Sequence, residues 1–471
     1  MTNALQNNVP DGVTEIDTTA RCPLFLLVGS GLVWLVLGGV LALLHLAQSY
    51  TPALLADCAW LTYGRLQAIQ ETVLVYGWFG NAGLAVVLWV LARLGESPLR
   101  GRNYITVGAL FWNLAITLAV IGIAAGDVTS FPLLQMPRYV QAILLFSFAA
   151  IAVPGVLAWS GRRSDATFVS HWYALAALFL FPWFFSVAQV MLNFVPVRGT
   201  LQSVVATWYA QNVFSLWLAP VAMAAVYYLL PKITGRVIQN YDFAVYGFWT
   251  LLFFGCWMGG RHLIGGPVPA WIPTMAIVCA WLVLFHHIIV YFNLREAFRP
   301  GSSTVLKFLA MGLGSYLLSA VVDTAFASRI LAEVTQFTFF QQAQMQLAFG
   351  SVTLIIFGAL YYLVPRLAGA HWPSVSLVRG HFLAVVLGLV LFVVALGAAG
   401  WTQGMGLNDA GQTFVDIAAK TKSWLLVATA AQGVLLVGNL LFLVHFLWLA
   451  IGQAPVWKLI RQPSAAEATV S

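Results

Sequence analysis

The sequence predicts an all-α, polytopic membrane protein with twelve spanning helices, and three observations predict it. Hydrophobic side chains make up 61% of the 471 residues, charged ones only 8%, and the mean hydropathy is +0.88. A soluble domain carries about 25% Asp, Glu, Lys and Arg, so most of this surface is expected to face lipid. Apolar stretches of about 20 residues, the length that crosses the hydrocarbon core, recur along the whole chain. They do not alternate over about ten residues as barrel strands would.

Taken in order, the runs fall at roughly 23–47, 68–95, 104–125, 138–160, 170–194, 203–230, 241–263, 270–292, 305–331, 337–364, 380–401 and 422–452. The first follows Asp11, Glu15, Asp17 and a single Arg21, and it is too long for a signal-peptide core, so it is expected to stay in the mature protein. Linkers are short, which predicts one membrane domain over 22–452, with an N-terminal segment 1–21 and a tail 453–471. All 22 Lys and Arg stand at or between the runs; with a cytoplasmic N-terminus, fifteen fall on the cytoplasmic side and seven on the other. The positive-inside bias therefore predicts both termini in the cytoplasm.

The net charge of +7 does not indicate a nucleic-acid partner, because the basic residues are scattered through short loops. Membrane lipid is the expected surrounding. Cys22, Cys58, Cys256 and Cys279 include no C-x-x-C pair and no C-x-x-C-H site for covalent haem attachment.

Two segments end alike: Tyr227-Tyr228-Leu229-Leu230-Pro231-Lys232 and Tyr361-Tyr362-Leu363-Val364-Pro365-Arg366. The first follows Thr207-Trp208-Tyr209-Ala210-Gln211-Asn212, and at that spacing it resembles helix six of the catalytic subunit of cbb-type (C-family) haem-copper cytochrome c oxidases. Trp257-Met258-Gly259-Gly260-Arg261-His262-Leu263, with Pro269 and Trp271 after it, is similar to the family's next motif, in which a His-His pair leads into Pro-x-Trp. Tyr63-Gly64-Arg65-Leu66 with Gly80-Asn81 resembles its helix-two entry, and Leu360 to Leu367 the end of helix ten. The resemblance runs from Arg21 to Ile451 and implies the twelve-helix haem-copper oxidase subunit I fold in a bacterial-type inner membrane. It also implies a low-spin haem between helices two and ten and a high-spin haem facing a copper, all held by imidazoles.

At the positions that carry those imidazoles in the family, this sequence reads differently. The helix-two haem ligand falls on Gln70, the helix-six copper ligand on Gln211, and the helix-seven copper pair on Arg261 and His262. The family's cross-linked tyrosine falls on Gly255. Helix ten should carry His-x-His, whose spacing turns two rings about 200° apart toward two haems. An ungapped reading puts Ala343 and Met345 there; one residue of slippage puts Gln344 and Gln346. The chain has eight histidines, and His262 alone stands at one of these ligand positions.

An amide oxygen is a poor haem ligand and a weak copper one. Gln70, Gln211, Gln336, Gln341, Gln342, Gln344 and Gln346 are therefore expected to face the bundle interior, with Gln341/Gln344 and Gln342/Gln346 as two stripes. The plain reading is polar glue in former haem pockets; the other is a solvated path for protons or a small ligand. Met345 reads as a gap-filler rather than an axial ligand, and adjacent His286 and His287 point too far apart to chelate. Glu71 and Asp323 are the candidate proton-handling residues, since intramembrane charge is costly. Asp323 is placed deep in helix nine with no local partner, and Arg329 and Glu333, i and i+4, are expected to pair at its outer end.

The reading is a non-catalytic or structural subunit of a respiratory membrane complex, binding no haem or copper and working beside other subunits. Its rivals are an active oxidase or nitric oxide reductase that keeps haem b and copper through other ligands, and a proton or small-molecule conduit. Arg261 is expected within hydrogen-bond reach of Gln211, and Arg261→Met to change stability only modestly.

Overall fold

Twelve helices long and apolar enough to cross a membrane run through the described residues: α1 (Glu15–Gln48), α2 (Tyr63–Leu94), α3 (Arg102–Ala125), α4 (Arg138–Ser160), α5 (Val169–Phe194), α6 (Thr200–Thr234), α7 (Tyr241–Leu263), α8 (Trp271–Phe298), α9 (Thr304–Phe326), α10 (Phe339–Ala368), α11 (Val375–Leu407) and α12 (Phe414–Ile451). The structure, a computed structural model, describes residues 15–163, 165–299, 301 and 303–452. The expected tail 453–471 and the first fourteen residues lie outside them. No strand occurs among the described residues.

Three helices form the centre. In the most apolar stretch of α2, α6 and α10, 94%, 94% and 83% of residues are buried, against 33–50% for the other nine described spans. Burial on nearly every face makes these three the axis, and the rest form the lipid-facing ring. The ring helices bury one stripe and expose large side chains such as Phe146, Leu157, Trp249, Phe253 and Leu383.

The end of the bundle where α2, α6 and α10 finish, here the basic end, explains the paired Tyr-Tyr motifs. Trp89 of α2 packs edge-on against Tyr228 of α6 and Tyr362 of α10, with centroids 5.5 and 6.0 Å away. The Trp89 indole donates to Asp17 Oδ1 at 3.0 Å, and Arg93 pairs with the same carboxylate at 3.4 Å. Arg366 lies over the Tyr362 ring, 3.4 Å from its centroid, and Arg21 Nε donates to Leu367 O at 2.6 Å. Both α6 and α10 then stop at a left-handed glycine, Gly235 (φ 66) and Gly369 (φ 64), a conformation that a side chain would strain. The two near-identical motifs are thus two thirds of one aromatic cage.

Most boundaries shift by a few residues from the sequence reading, and two of the shifts bear on the site. α1 already includes Glu15 to Arg21, ahead of the expected start at 22, and Asp17 and Arg21 reach the cage from this turn. α9 ends at Phe326 rather than 331: Ser328 turns extended (φ −65, ψ 141) and starts a separate short helix, Arg329–Thr335. Asp323 is therefore in the last turn of α9, not deep within it.

Candidate functional site

Two cavities, walled mainly by apolar side chains with a few polar groups among them, lie in the far half of the bundle, on either side of α10. The backbone of the central helices is offset just before each. α2 runs into a π-helical stretch, Val73–Gly83, directly after Gln70 and Glu71, and α6 into another, Val213–Leu218, directly after Gln211. A wider turn rotates the following residues relative to the preceding ones, and such offsets cluster at functional sites.

The first cavity, of ≈ 90 Å³, is walled by α1, α2, α10, α11 and α12. Its polar groups are Gln70, Gln346, Thr353, Gln432 and Asn439, set among Trp34, Phe349, Phe357 and leucines. That volume has room for water. Gln432 and Asn439 are one heptad apart on α12 and 6% and 8% exposed, so both amides point inward. Asn439 has no protein hydrogen-bond partner among the described residues, and Gln432 Nε2 reaches only Gly39 O, at 3.5 Å.

The second cavity, of ≈ 290 Å³, lies among α2, α6, α7, α9 and α10. Arg261, His262, Gln211, Asp323, Glu71 and Gln344 all stand at its wall. Arg261 is 7% exposed, and its guanidinium is held on three sides. Nη1 donates to Gln211 Oε1 at 3.0 Å and to Met258 O at 3.1 Å, and Nη2 pairs with Asp323 Oδ2 at 3.1 Å. The contact expected between Arg261 and Gln211 is present, and Asp323 proves to be a second partner, so the carboxylate is not alone. Gln211 Nε2 in turn donates to Ser215 Oγ at 2.7 Å, which fixes the amide with its oxygen toward the cation.

Local sequence makes this approach possible. The α-helical part of α7 stops at Gly255, and Met258–Leu263 forms a tight 3-10 turn that carries Arg261. A Cβ on Gly259 would stand 2.4 Å from Thr207 O, so only glycine lets the turn close onto α6. Gly255 faces Ser215, whose Cβ would lie 3.2 Å from a side chain there.

Glu71 accepts from Gln67 Nε2 at 3.0 Å and from Gln135 Nε2 at 2.5 Å. Gln336 donates to His262 O and accepts from Gln341 Nε2 at 3.0 Å. On α10 the candidate residues face different ways. Gln344 faces the second cavity and Gln346 the first, as the i, i+2 geometry requires, whereas Ala343 is buried against Phe392 and Ala395. Met345 reaches the second cavity. Of the expected stripes, Gln341 with Gln344 shares one wall, but Gln342 does not join Gln346 at the first cavity.

Arg329 does not pair with Glu333; it donates to Thr274 Oγ1 at 2.7 Å, because the break after α9 turns it toward α8. His286 uses both ring nitrogens, toward Gly247 O at 2.9 Å and Tyr316 OH at 3.0 Å, so it has none left for a metal. The sequence reading missed Gln432 and Asn439; two amides seven residues apart on an otherwise apolar helix were the available signal.

The donor set can be tested against the groups that the resemblance implies. Axial haem ligands are imidazole, thiolate, thioether or phenolate. The first cavity's wall has none of them. The second offers His262 and Met345, but its would-be metal corner is taken by a guanidinium already bound to an amide and a carboxylate. Among the described residues no cluster of three His, Cys, Asp or Glu is arranged to hold a metal. By this chemistry the first cavity does not fit a haem, and the second does not fit a copper.

The profile of the family described as Cytochrome C and Quinol oxidase polypeptide I matches residues 23–434. The cbb3-type cytochrome c oxidase subunit CcoN1 of Stutzerimonas stutzeri is 24% identical over 399 residues, 80% of this chain and 83% of its own length. A cytochrome c oxidase subunit 1 homolog of the bacteroid from Bradyrhizobium diazoefficiens is 23% identical over 90% of this chain and 81% of its own. The structure of a haem-copper terminal oxidase dimer, solved by cryo-EM, superposes with a TM-score of 0.68 over 92% of this chain and 84% of that one, at 14% identity. With twelve spanning helices around a three-helix axis and a profile match over most of its length, the chain belongs to the cytochrome c and quinol oxidase polypeptide I family.

Proposed function

We propose that this family member has exchanged its redox centres for a polar core and serves as a non-catalytic membrane subunit within a respiratory complex. One observation carries the reading: Arg261 is locked to Gln211 and Asp323 where a copper site would need a second and a third imidazole. A permanently charged guanidinium repels a metal cation, and an amide is a weak substitute for imidazole. The amide-lined first cavity supports the same reading for the low-spin haem. The relatives are subunits of cytochrome c oxidases, so a role beside other subunits is the matching one for this chain.

Copper quantified by elemental analysis on the purified chain is expected well below one equivalent, with no oxygen consumption from a reduced electron donor. Copper near one equivalent, or oxygen consumption that Arg261→Gln abolishes, makes the chain an oxidase with His262 and Met345 as the first ligands to examine. The fifteen-to-seven distribution of Lys and Arg supports an orientation with the basic end and both termini in the cytoplasm. Reporter fusions after Arg163 and after Lys422 are expected to read opposite sides; the same side for both would contradict the twelve-span topology.

A further inference from the structure

The second cavity has one guanidinium and two carboxylates at its wall, and only one of the carboxylates is matched by a cation. Arg261 pairs with Asp323 at 3.1 Å. Glu71 accepts from Gln67 and Gln135, which are neutral, and among the described residues no cation stands within ion-pair distance of it. Its hydrogen bonds are made, but its charge is not compensated. An uncompensated charge at so apolar a wall is costly, and a cation is the group that offsets it.

The rest of the wall describes that cation. The volume of ≈ 290 Å³ is about twice that of an engineered cavity that binds benzene, so it suits a molecule with a ring-sized body rather than a bare ion. Phe214 and Phe349, with ring centroids 6.3 Å apart, form one aromatic wall, and aromatic faces attract organic cations. The Gln344 amide faces the cavity with no protein partner among the described residues, which leaves its oxygen free to accept an N–H. Glu71 keeps acceptor capacity too, because a carboxylate offers about four lone-pair sites and the two amides use one on each oxygen.

Two residues from the far-end connections stand at the same wall, Leu133 before α4 and Phe337 before α10. Both have left-handed backbone, φ 59 and φ 61, which bulky side chains rarely adopt. Such strain gathers at ligand clamps. Phe337 is 75% exposed, so its ring stands at the rim, while Leu133 is buried and its carbonyl accepts from Tyr76 OH at 2.7 Å.

We propose that the second cavity binds a small organic amine as its ammonium ion, admitted from the far end past Phe337. The ammonium pairs with Glu71 and donates to Gln344, and the apolar body lies against Phe214 and Phe349. Arg261 does not repel it strongly, because Asp323 already balances the guanidinium. The proposal rests on the reading that neither haem nor copper fills this cavity. Metal content measured on the same sample separates the two: a metal-free chain that binds no amine fails this proposal alone.

The test uses the full chain in detergent with radiolabelled phenethylammonium, after subtraction of the label held by protein-free micelles. Saturable binding of about one per chain is expected. Unlabelled 2-phenylethanol, with the same body and no charge, is expected to compete at least about tenfold more weakly than unlabelled phenethylammonium, and 3-phenylpropanoate, with the opposite charge, not to compete. Glu71→Gln is expected to weaken binding by about tenfold or more, Phe337→Ala to weaken it severalfold, and exposed Lys422→Gln to leave it unchanged. Size-exclusion elution checks each variant; should Glu71→Gln misfold, Phe337→Ala and the order of the three probes decide. No saturable binding, the alcohol competing as well as the ammonium, the carboxylate competing better than either, or parent affinity in Glu71→Gln or Phe337→Ala would overturn the proposal.

Discussion

The two cavities share α10 and differ in how they satisfy buried polarity. In the first, five neutral groups from α2, α10 and α12 face a space of ≈ 90 Å³. In the second, a cation and two carboxylates face ≈ 290 Å³ and are matched by fixed protein partners: Asp323 and Gln211 for Arg261, Gln67 and Gln135 for Glu71. A neutral amide in a low-dielectric interior can wait for water. A charge cannot, because leaving it unpaired costs several kcal/mol. The difference teaches that buried neutral amides can face an open space with few fixed partners, whereas a buried charge demands a network built around it.

The contrast can be broken most sharply at Arg261. Removing it leaves the Asp323 carboxylate, whose side chain is 17% exposed, without its cation. Arg261→Met is therefore expected to destabilise the detergent-solubilised protein by about 3–5 kcal/mol, read as a fall in thermal midpoint. This is larger than the modest change expected from the sequence, which did not include Asp323. The double variant Arg261→Met with Asp323→Leu is expected to recover most of that loss, since replacing both members of a buried pair by apolar groups is often close to neutral. Additive losses in the cycle would mean that the pair is not coupled.

A smaller effect is expected at Gly259, where an alanine Cβ would meet Thr207 O at 2.4 Å. Gly259→Ala should cost about 1–3 kcal/mol, because the turn that carries Arg261 must back away from α6. The smallest belongs to the first cavity. Gln346→Leu is expected to change stability by about 0.6 kcal/mol, the average for polar contacts inside membrane bundles. A loss as large as that of Arg261→Met would erase the distinction between the two cavities.

Much of this was legible in the sequence because lipid simplifies the code. Apolar runs of spanning length mark the helices, and the twelve expected runs coincide with α1 to α12 apart from their ends. The cohesion of Arg261 with Gln211 was legible too, since both residues sit in motifs of known spacing. Asp323 was not, because pairing across 62 residues leaves no local pattern, and its apparent depth depended on a helix end that only the extended Ser328 reveals. Which α10 residues face the cavities was ambiguous for a related reason: Gln341, Gln342, Gln344 and Gln346 offer similar chemistry, and only the fold turns Gln344 and Gln346 to the two cavities while Ala343 joins a buried cluster with Phe392 and Ala395. The aromatic cage joins Trp89 to two tyrosine motifs whose resemblance was visible, while the third corner carried a different residue.

The central claim is the proposal that this chain binds neither haem nor copper. A reduced-minus-oxidised absorption spectrum of the purified chain, taken across the Soret and α-band regions, tests it most directly. The account predicts a flat difference spectrum at a protein concentration where one haem per chain would give a strong α-band. A stoichiometric α-band would contradict it, and would point to His262 and Met345 in the second cavity as the ligands to substitute first.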